Sequence, residues 1–220
     1  IAYHEYKYKR GFDLMVNVFG ADHAGYIARL KAALMGLGYD AGKLHVAFIQ
    51  MVNLIKAGQM VSMSTRRATY ETLEAVRNEV GKDVVRYFFL MRSHNAQLDF
   101  DVELAKTQSQ DNPVYYIQYA HARICAIFRK AKDEGLDVPE NLSETTIKHL
   151  TLKEERRLLF KMSQYPQTIL TAATHLEPHR ITYYILELAR EFQYYYAQAK
   201  MDKSYKIVSD HKELSLARLV

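Results

Sequence analysis

Apolar and polar positions divide the chain into a first stretch of mixed period and a longer second stretch of helical period. Leu14-Met15-Val16-Asn17-Val18-Phe19 is a short, mostly apolar run that stops at Gly20, the pattern of a buried strand. A helix follows from about Ala24 to Leu37. Its residues Ile27, Leu30, Ala33, Leu34 and Leu37 recur at intervals of three and four, and Gly36 and Gly38 mark its end. Leu44 to Leu54 again reads as strand, giving the order strand, helix, strand. That is a parallel crossover unit, expected within a doubly wound sheet. From Ala57 to Tyr70 the pattern gives way to a polar loop with Gly58, and helices resume at about Glu71. Helical periodicity then persists nearly to the end, with breaks at Asp111-Asn112-Pro113, Asp137-Val138-Pro139 and Glu177-Pro178.

Two helices of the second stretch can be assigned faces. After Pro113, the residues Ile117, Ala120, Ile124, Ile127 and Ala131 share one side, and Tyr116, Tyr119 and Arg123 share the adjoining edge. From Pro178 to Lys200 the expected buried side is Ile181, Ile185, Leu188 and Phe192, with Pro178 in the first turn. A helical bundle is the economical way to bury such faces. The tyrosines at 194 to 196 cannot all point inward, so at least one ring is exposed or meets a partner.

Composition narrows the class. With 220 residues and 49% apolar content the chain can build a sizeable core, so disorder is a poor reading. A net charge of +5 and a pI near 9.1 are compatible with a polyanion partner. A single cysteine, Cys125, excludes a disulfide framework and a zinc site, and the nine histidines form no metal-ligand cluster. The expected compartment is the reducing cytoplasm. No apolar run approaches the roughly 18 residues of a membrane span. Ile1 at one end and LSLARLV at the other read as cuts from a longer protein.

Three segments could carry chemistry. Gly20-Ala21-Asp22-His23 lies where a strand ends and a helix begins, the edge at which open α/β sheets bind ligands. A glycine there permits close approach of a nucleotide, and a carboxylate can accept two ribose hydroxyls; the competing reading makes Asp22 an ordinary helix cap. Tyr116, Tyr119 and Arg123 offer rings for splayed bases and a cation for phosphate, or else a half-buried edge against the next helix. The loop around Ser62-Met63-Ser64-Thr65-Arg66 offers mobile donors, or is simply a basic surface loop. Lys161-Met162-Ser163-Gln164 looks similar but continues the helical spacing of Leu158 and Leu159, so it reads as a solvated lysine beside a core methionine.

The segments IAYH at 1–4, RGFD at 10–13, GADH at 20–23, GQMVSMSTRR at 58–67, YFFLMRS at 87–93 and NPVYYIQYAHAR at 112–123 occur in this order. Together the chain resembles bacterial arginyl-tRNA synthetases, class I enzymes, through nearly all of its length. The resemblance implies a fold class: the α/β half of a Rossmann-like catalytic domain over residues 1–108, followed by an all-α helical-bundle anticodon-binding domain over 109–220. It implies that Ser62, Met63, Ser64, Thr65 and Arg66 form a KMSKS-like loop (about 57–70) that closes over the triphosphate of ATP. Ser62 and Thr65 replace the two lysines of that pattern, and Lys56, Arg66 or Arg67 would supply the cation. It implies that Gly20, Asp22 and His23 meet ATP, with Asp22 on the ribose and His23 near the amino-acid pocket; the second histidine usual after this turn is Ala24 here. It implies that Tyr116, Tyr119 and Arg123 meet the tRNA.

The implied reaction joins arginine to its tRNA through arginyl-adenylate, with ATP and Mg²⁺ as a substrate complex and no tightly bound protein metal. The implied partners are arginine tRNA, ATP and L-arginine, and the expected state is a monomer without membrane contact. The His-Ile-Gly-His signature does not occur in the chain, so the isolated segment is expected to be inactive. The alternative from another class is a noncatalytic tRNA-binding module related to class I synthetases, favoured by Ser62 and Ala24.

Overall fold

The structure, a computed structural model, describes residues 1–61, 71–138 and 147–220. It is mostly helical with two small sheets, and it divides into two compact units, Ile1–Glu103 and Leu104–Val220.

In the first unit, helix α1 (Ala2–Lys9) precedes strand β1 (Met15–Gly20), helix α2 (Ile27–Gly36) and strand β2 (Leu44–Ile49). β1 and β2 run parallel, from Met15↔Leu44 to Gly20↔Ile49. Met15, Leu30, Leu34 and Leu44 form the shared core, with Tyr8 and Tyr39 packed against it. The predicted helix thus exists, but its first three residues, 24–26, belong to a separate 3-10 turn, Ala21–Tyr26. The single strand expected from Leu44 to Leu54 is two. At Gln50 the backbone N–H leaves the β1 ladder for the carbonyl of His94, 3.1 Å away, and the chain re-enters a different sheet as β3 (Val52–Lys56).

That second sheet has the order β4 (Gln59–Met60), β3, β5 (Leu98–Asp101), with β3–β4 antiparallel and β3–β5 parallel. Helices α3 (Leu73–Val80) and α4 (Lys82–Leu90) connect β3 and β4 to β5. Thr72 caps α3 through its hydroxyl, which accepts from Ala75 N–H at 3.0 Å. Strand β5 corrects the expectation of unbroken helix after residue 71. Its alternation buries Leu98 and Phe100 and turns Asp99 outward, but four residues are too short to register against a helical window. Phe88 and Phe89 of α4 lie 5.5 and 5.7 Å from the Phe100 ring and close this core.

Helix α5 (Val102–Lys106) leads into the second unit: α6 (Pro113–Asp133), α7 (Lys153–Ser163), α8 (Tyr165–His175), α9 (His179–Gln198) and α10 (Lys212–Leu219). α9 packs against α6, α7 and α8. The predicted face of α6 is the inner one: Ala120 and Ala131 are buried, and Ile117, Ile124 and Ile127 pack around them. The predicted face of α9 is inner only in its later half, where Phe192 is buried and Leu188 half-buried. Ile181 and Ile185 are exposed, and the buried positions include Thr182, Tyr184, Ala189, Phe192, Gln193 and Tyr195. Counting tyrosine as polar misplaced the stripe: Tyr184 reaches the carbonyl of Lys161 at 3.1 Å, and Tyr195 reaches Glu155 at 3.4 Å, so each ring is buried with its hydroxyl satisfied. The segment 161–164 is helical at the end of α7, as its spacing predicts, but its side chains are reversed. Lys161 is largely covered, paired with Glu187 at 2.5 Å and lying over the Tyr184 ring, whereas Met162 is exposed.

Candidate functional site

Gly20 ends β1 and opens the 3-10 turn. A methyl group on it would stand 2.5 Å from a carboxylate oxygen of Asp22, so that exposed side chain would have to swing aside. Asp22 is not the cap, because the turn starts at Gly20 and no side chain closes it. Its carboxylate is 79% exposed, and His23 Nε2 lies 3.7 Å from it. The His23 ring in turn sits 5.5 Å from Phe19. The capping alternative is therefore removed, leaving an open carboxylate at the carboxyl end of a parallel strand.

The polar loop begins in a tight hairpin. Lys56 pairs with Gln59 across Ala57 and Gly58, both at positive φ (51° and 73°), the geometry of a two-residue turn that suits glycine and strains alanine. Lys56 Nζ donates to Glu71 Oε1 and Glu79 Oε2, each at 3.0 Å. These bonds, Glu79's foremost, hold the ammonium above the ordinary lysine range. Of the three cations considered for the loop, Lys56 is thus committed to two carboxylates. Ser62, Met63, Ser64, Thr65, Arg66 and Arg67 lie outside the described residues.

In the second unit the edge of α6 meets α9. Tyr115, Tyr116, Tyr119 and Arg123 from α6, with Arg190, Tyr194 and Tyr196 from α9 and Lys200 two residues beyond its end, line a cleft of about 680 Å³ together with Gln108, Ser109 and Gln110. The Tyr115 and Tyr119 rings are nearly parallel, 6° apart with centroids 6.0 Å apart. Arg123 lies over the Tyr119 ring at 4.3 Å and the Tyr196 ring at 4.9 Å. It donates to the Tyr119 hydroxyl at 3.0 Å and to the side-chain oxygen of Gln193. Its planar guanidinium so extends an aromatic surface as well as carrying charge.

All three predicted residues are brought together here, in unequal positions. Tyr119 is 44% exposed, whereas Tyr116 is half-buried against Ala120, Ala189 and Phe192. Among the described residues no aspartate or glutamate lines the cleft, while Arg123, Arg190 and Lys200 do. The sequence reading missed Tyr115 and most of the α9 side of this cleft. The available signal was the recurrence of Arg190, Tyr194 and Tyr196 before Lys200, a second aromatic and basic edge at helical spacing. No group of three or more His, Cys, Asp or Glu residues able to hold a metal occurs among the described residues.

Comparison with known proteins follows the same division. Residues 117–220 match the DALR anticodon binding domain. The arginine–tRNA ligase of Syntrophotalea carbinolica is 48% identical over 219 residues, covering 100% of this chain and 38% of its own length. The Moorella thermoacetica ligase is 46% identical over 220 residues, again covering 38% of its own length. The chain therefore spans well under half of these curated relatives. Among solved structures, one described as an arginyl-tRNA synthetase from Campylobacter jejuni superposes with a TM-score of 0.82 at 32% identity, covering 99% of this chain and 45% of its own. The Thermus thermophilus arginyl-tRNA synthetase shares the fold at a TM-score of 0.64 and 23% identity, over 94% of this chain and 37% of its own. By sequence from end to end, and by fold, the chain is a relative of the C-terminal part of the arginine–tRNA ligases and carries their DALR anticodon-binding domain.

Proposed function

We propose that the chain serves, within a longer arginine–tRNA ligase, as the second half of a Rossmann-like catalytic fold (residues 1–108) joined to a helical-bundle anticodon-binding domain (109–220). The observation that carries this reading is the cleft between α6 and α9: stacked tyrosines and three cations, with no carboxylate among the described residues of its wall. Such a surface suits unstacked bases and their phosphates. Tyr119 supplies the most open ring, Tyr116 shapes the wall, and Arg123 fixes the platform between Tyr119 and Tyr196.

In the first unit, the open carboxylate of Asp22 accepts the ribose hydroxyls of ATP, and Gly20 leaves room for it. His23 stands beside the amino-acid pocket. The donors of Ser62, Ser64, Thr65 and Arg66 settle on the triphosphate, which arrives with Mg²⁺ as substrate, and stabilise the charge of departing pyrophosphate. The arginine carboxylate attacks the α-phosphorus and the bond to pyrophosphate breaks. The 3′-terminal ribose hydroxyl of the tRNA then attacks the arginyl carbonyl, gives up its proton and releases AMP. The protein contributes positioning and electrostatics, with no covalent nucleophile. Ser62, at the first lysine position of the loop, favours a noncatalytic tRNA-binding relic as the second reading; arginylation by the parent enzyme would exclude it.

The test is equilibrium binding to arginine tRNA and to the same tRNA with its middle anticodon base changed, across a salt series. The expected result is a preference that persists at higher salt and is lost in Tyr116→Ala. Equal, purely salt-driven binding to both would overturn the reading.

A further inference from the structure

Beyond the tyrosine cleft, α9 ends at Gln198 and the chain returns through a 3-10 turn, Lys203–Tyr205, to lie against the later part of α6. This return leaves a second groove of about 270 Å³, whose wall includes Lys130, Lys200 and Lys206 and the rings of Tyr196 and Tyr205. Two of these residues, Tyr196 and Lys200, also line the tyrosine cleft, so the two cavities adjoin. Among the described residues no carboxylate lines either of them.

The acidic side chains near this groove are engaged elsewhere. Asp202 accepts the Ser204 N–H at 2.8 Å, and Glu154 is buried beneath the Tyr205 hydroxyl at 3.0 Å. Glu134 lies 3.5 Å from Lys130 in an exposed pair, too weak to withdraw the ammonium from a phosphate. Lys200 and Lys206 make no ion pair among the described residues. On α9, Glu187 and Glu191 instead pair with Lys161 and Arg157 of α7. The floor of the groove is apolar, with Ile127, Ile207 and Val208, and offers no directional acceptor or donor set for reading a base edge.

We propose that this lysine-lined groove is a backbone site for RNA, which takes the phosphates of the strand leaving the tyrosine cleft without reading its sequence. The proposal rests on the cleft being the base-binding surface. The cleft then discriminates, and the groove supplies strength and direction to the bound strand.

The experiment uses the whole chain with Lys130→Ala and Lys206→Ala together, leaving every cleft residue in place, and a control with Lys148→Ala and Lys212→Ala, which removes the same charge from residues that line neither cavity. Circular dichroism checks that each variant is folded. Binding of arginine tRNA, its anticodon-changed form and an unrelated single-stranded RNA is measured against salt. Expected is a loss of about tenfold or more in affinity for all three, with the salt slope reduced by about 1.4 to 1.8 for two phosphates. The ratio between arginine tRNA and its altered form stays as in the unsubstituted chain. Unchanged affinity and slope, or an equal loss in the control, would overturn the groove. A wild-type chain that never distinguishes the two tRNAs would instead sink the reading of the cleft, while the slope comparison would still judge the groove.

Discussion

The side chains of Glu155 and Arg218 are each only 4% exposed, and they hold one another at 2.6 Å. The pair is completed by the backbone: Glu155 also accepts the Leu152 N–H at 2.9 Å, and Arg218 also donates to the carbonyl of Lys206 at 2.7 Å. Burying two charges is costly, and removing one leaves the other uncompensated. Arg218→Ala is accordingly expected to destabilise the second unit by about 3–5 kcal/mol, read from denaturant unfolding, with Arg218→Met costing less. None of this was legible beforehand, because glutamates at the start of α7 read as a solvated first turn and their partners lie 40 to 63 positions away. His4 gives a pH dependence in the first unit. Burial, reinforced by Lys7, lowers its pKa beneath the ordinary 6.5, so the folded form resists a proton that the unfolded chain accepts. Stability is then fully present above pH 6.5 and declines as pH falls through the folded value. His4→Gln should flatten that decline, and an unchanged pH profile would assign it to other groups.

Helix α6 owes its start to one residue. Asn112 is buried, its side-chain oxygen accepts from the N–H groups of Val114 and Tyr115, and its amide donates to the carbonyls of Ala105 and Thr107, each at 2.9 Å. Asn112→Ala should cost about 2 kcal/mol, since it removes a cap and strips two carbonyls of a partner. Thermal unfolding would measure it; a loss under about 0.5 kcal/mol would mean water replaces the amide. This start was legible, because asparagine before proline is a local signal. So was the inner face of α6, where the aliphatic residues alone define the stripe. The face of α9 was legible only around Phe192, because its buried tyrosines satisfy their hydroxyls through partners on α7 that no window of α9 contains. The split between β2 and β3 also escaped, being set by a hydrogen bond to His94 far along the chain. At the candidate sites the same rule held: the α6 edge was visible, and the opposing α9 wall mostly was not.

At the scale of the molecule, the first unit leaves one face of its parallel strand pair open, with Val16 and Val18 both exposed. The parallel pair β1–β2 leaves Val18 65% exposed, although parallel sheets ordinarily have both faces covered. Calorimetry is therefore expected to show two transitions, the lower from the first unit, with Arg218→Met moving only the upper. One transition moved as a whole by that substitution would contradict it. No helix among the described residues is long and apolar enough to cross a membrane. The chain has 17 tyrosines and no tryptophan, and five of those rings, Tyr115, Tyr116, Tyr119, Tyr194 and Tyr196, line one cleft. Its ultraviolet emission is consequently tyrosine emission, unmasked by energy transfer to indole. A base stacking in the cleft would darken those five rings and spare the other twelve, so the chain carries an optical gauge of its own occupancy, with an amplitude capped by its geometry.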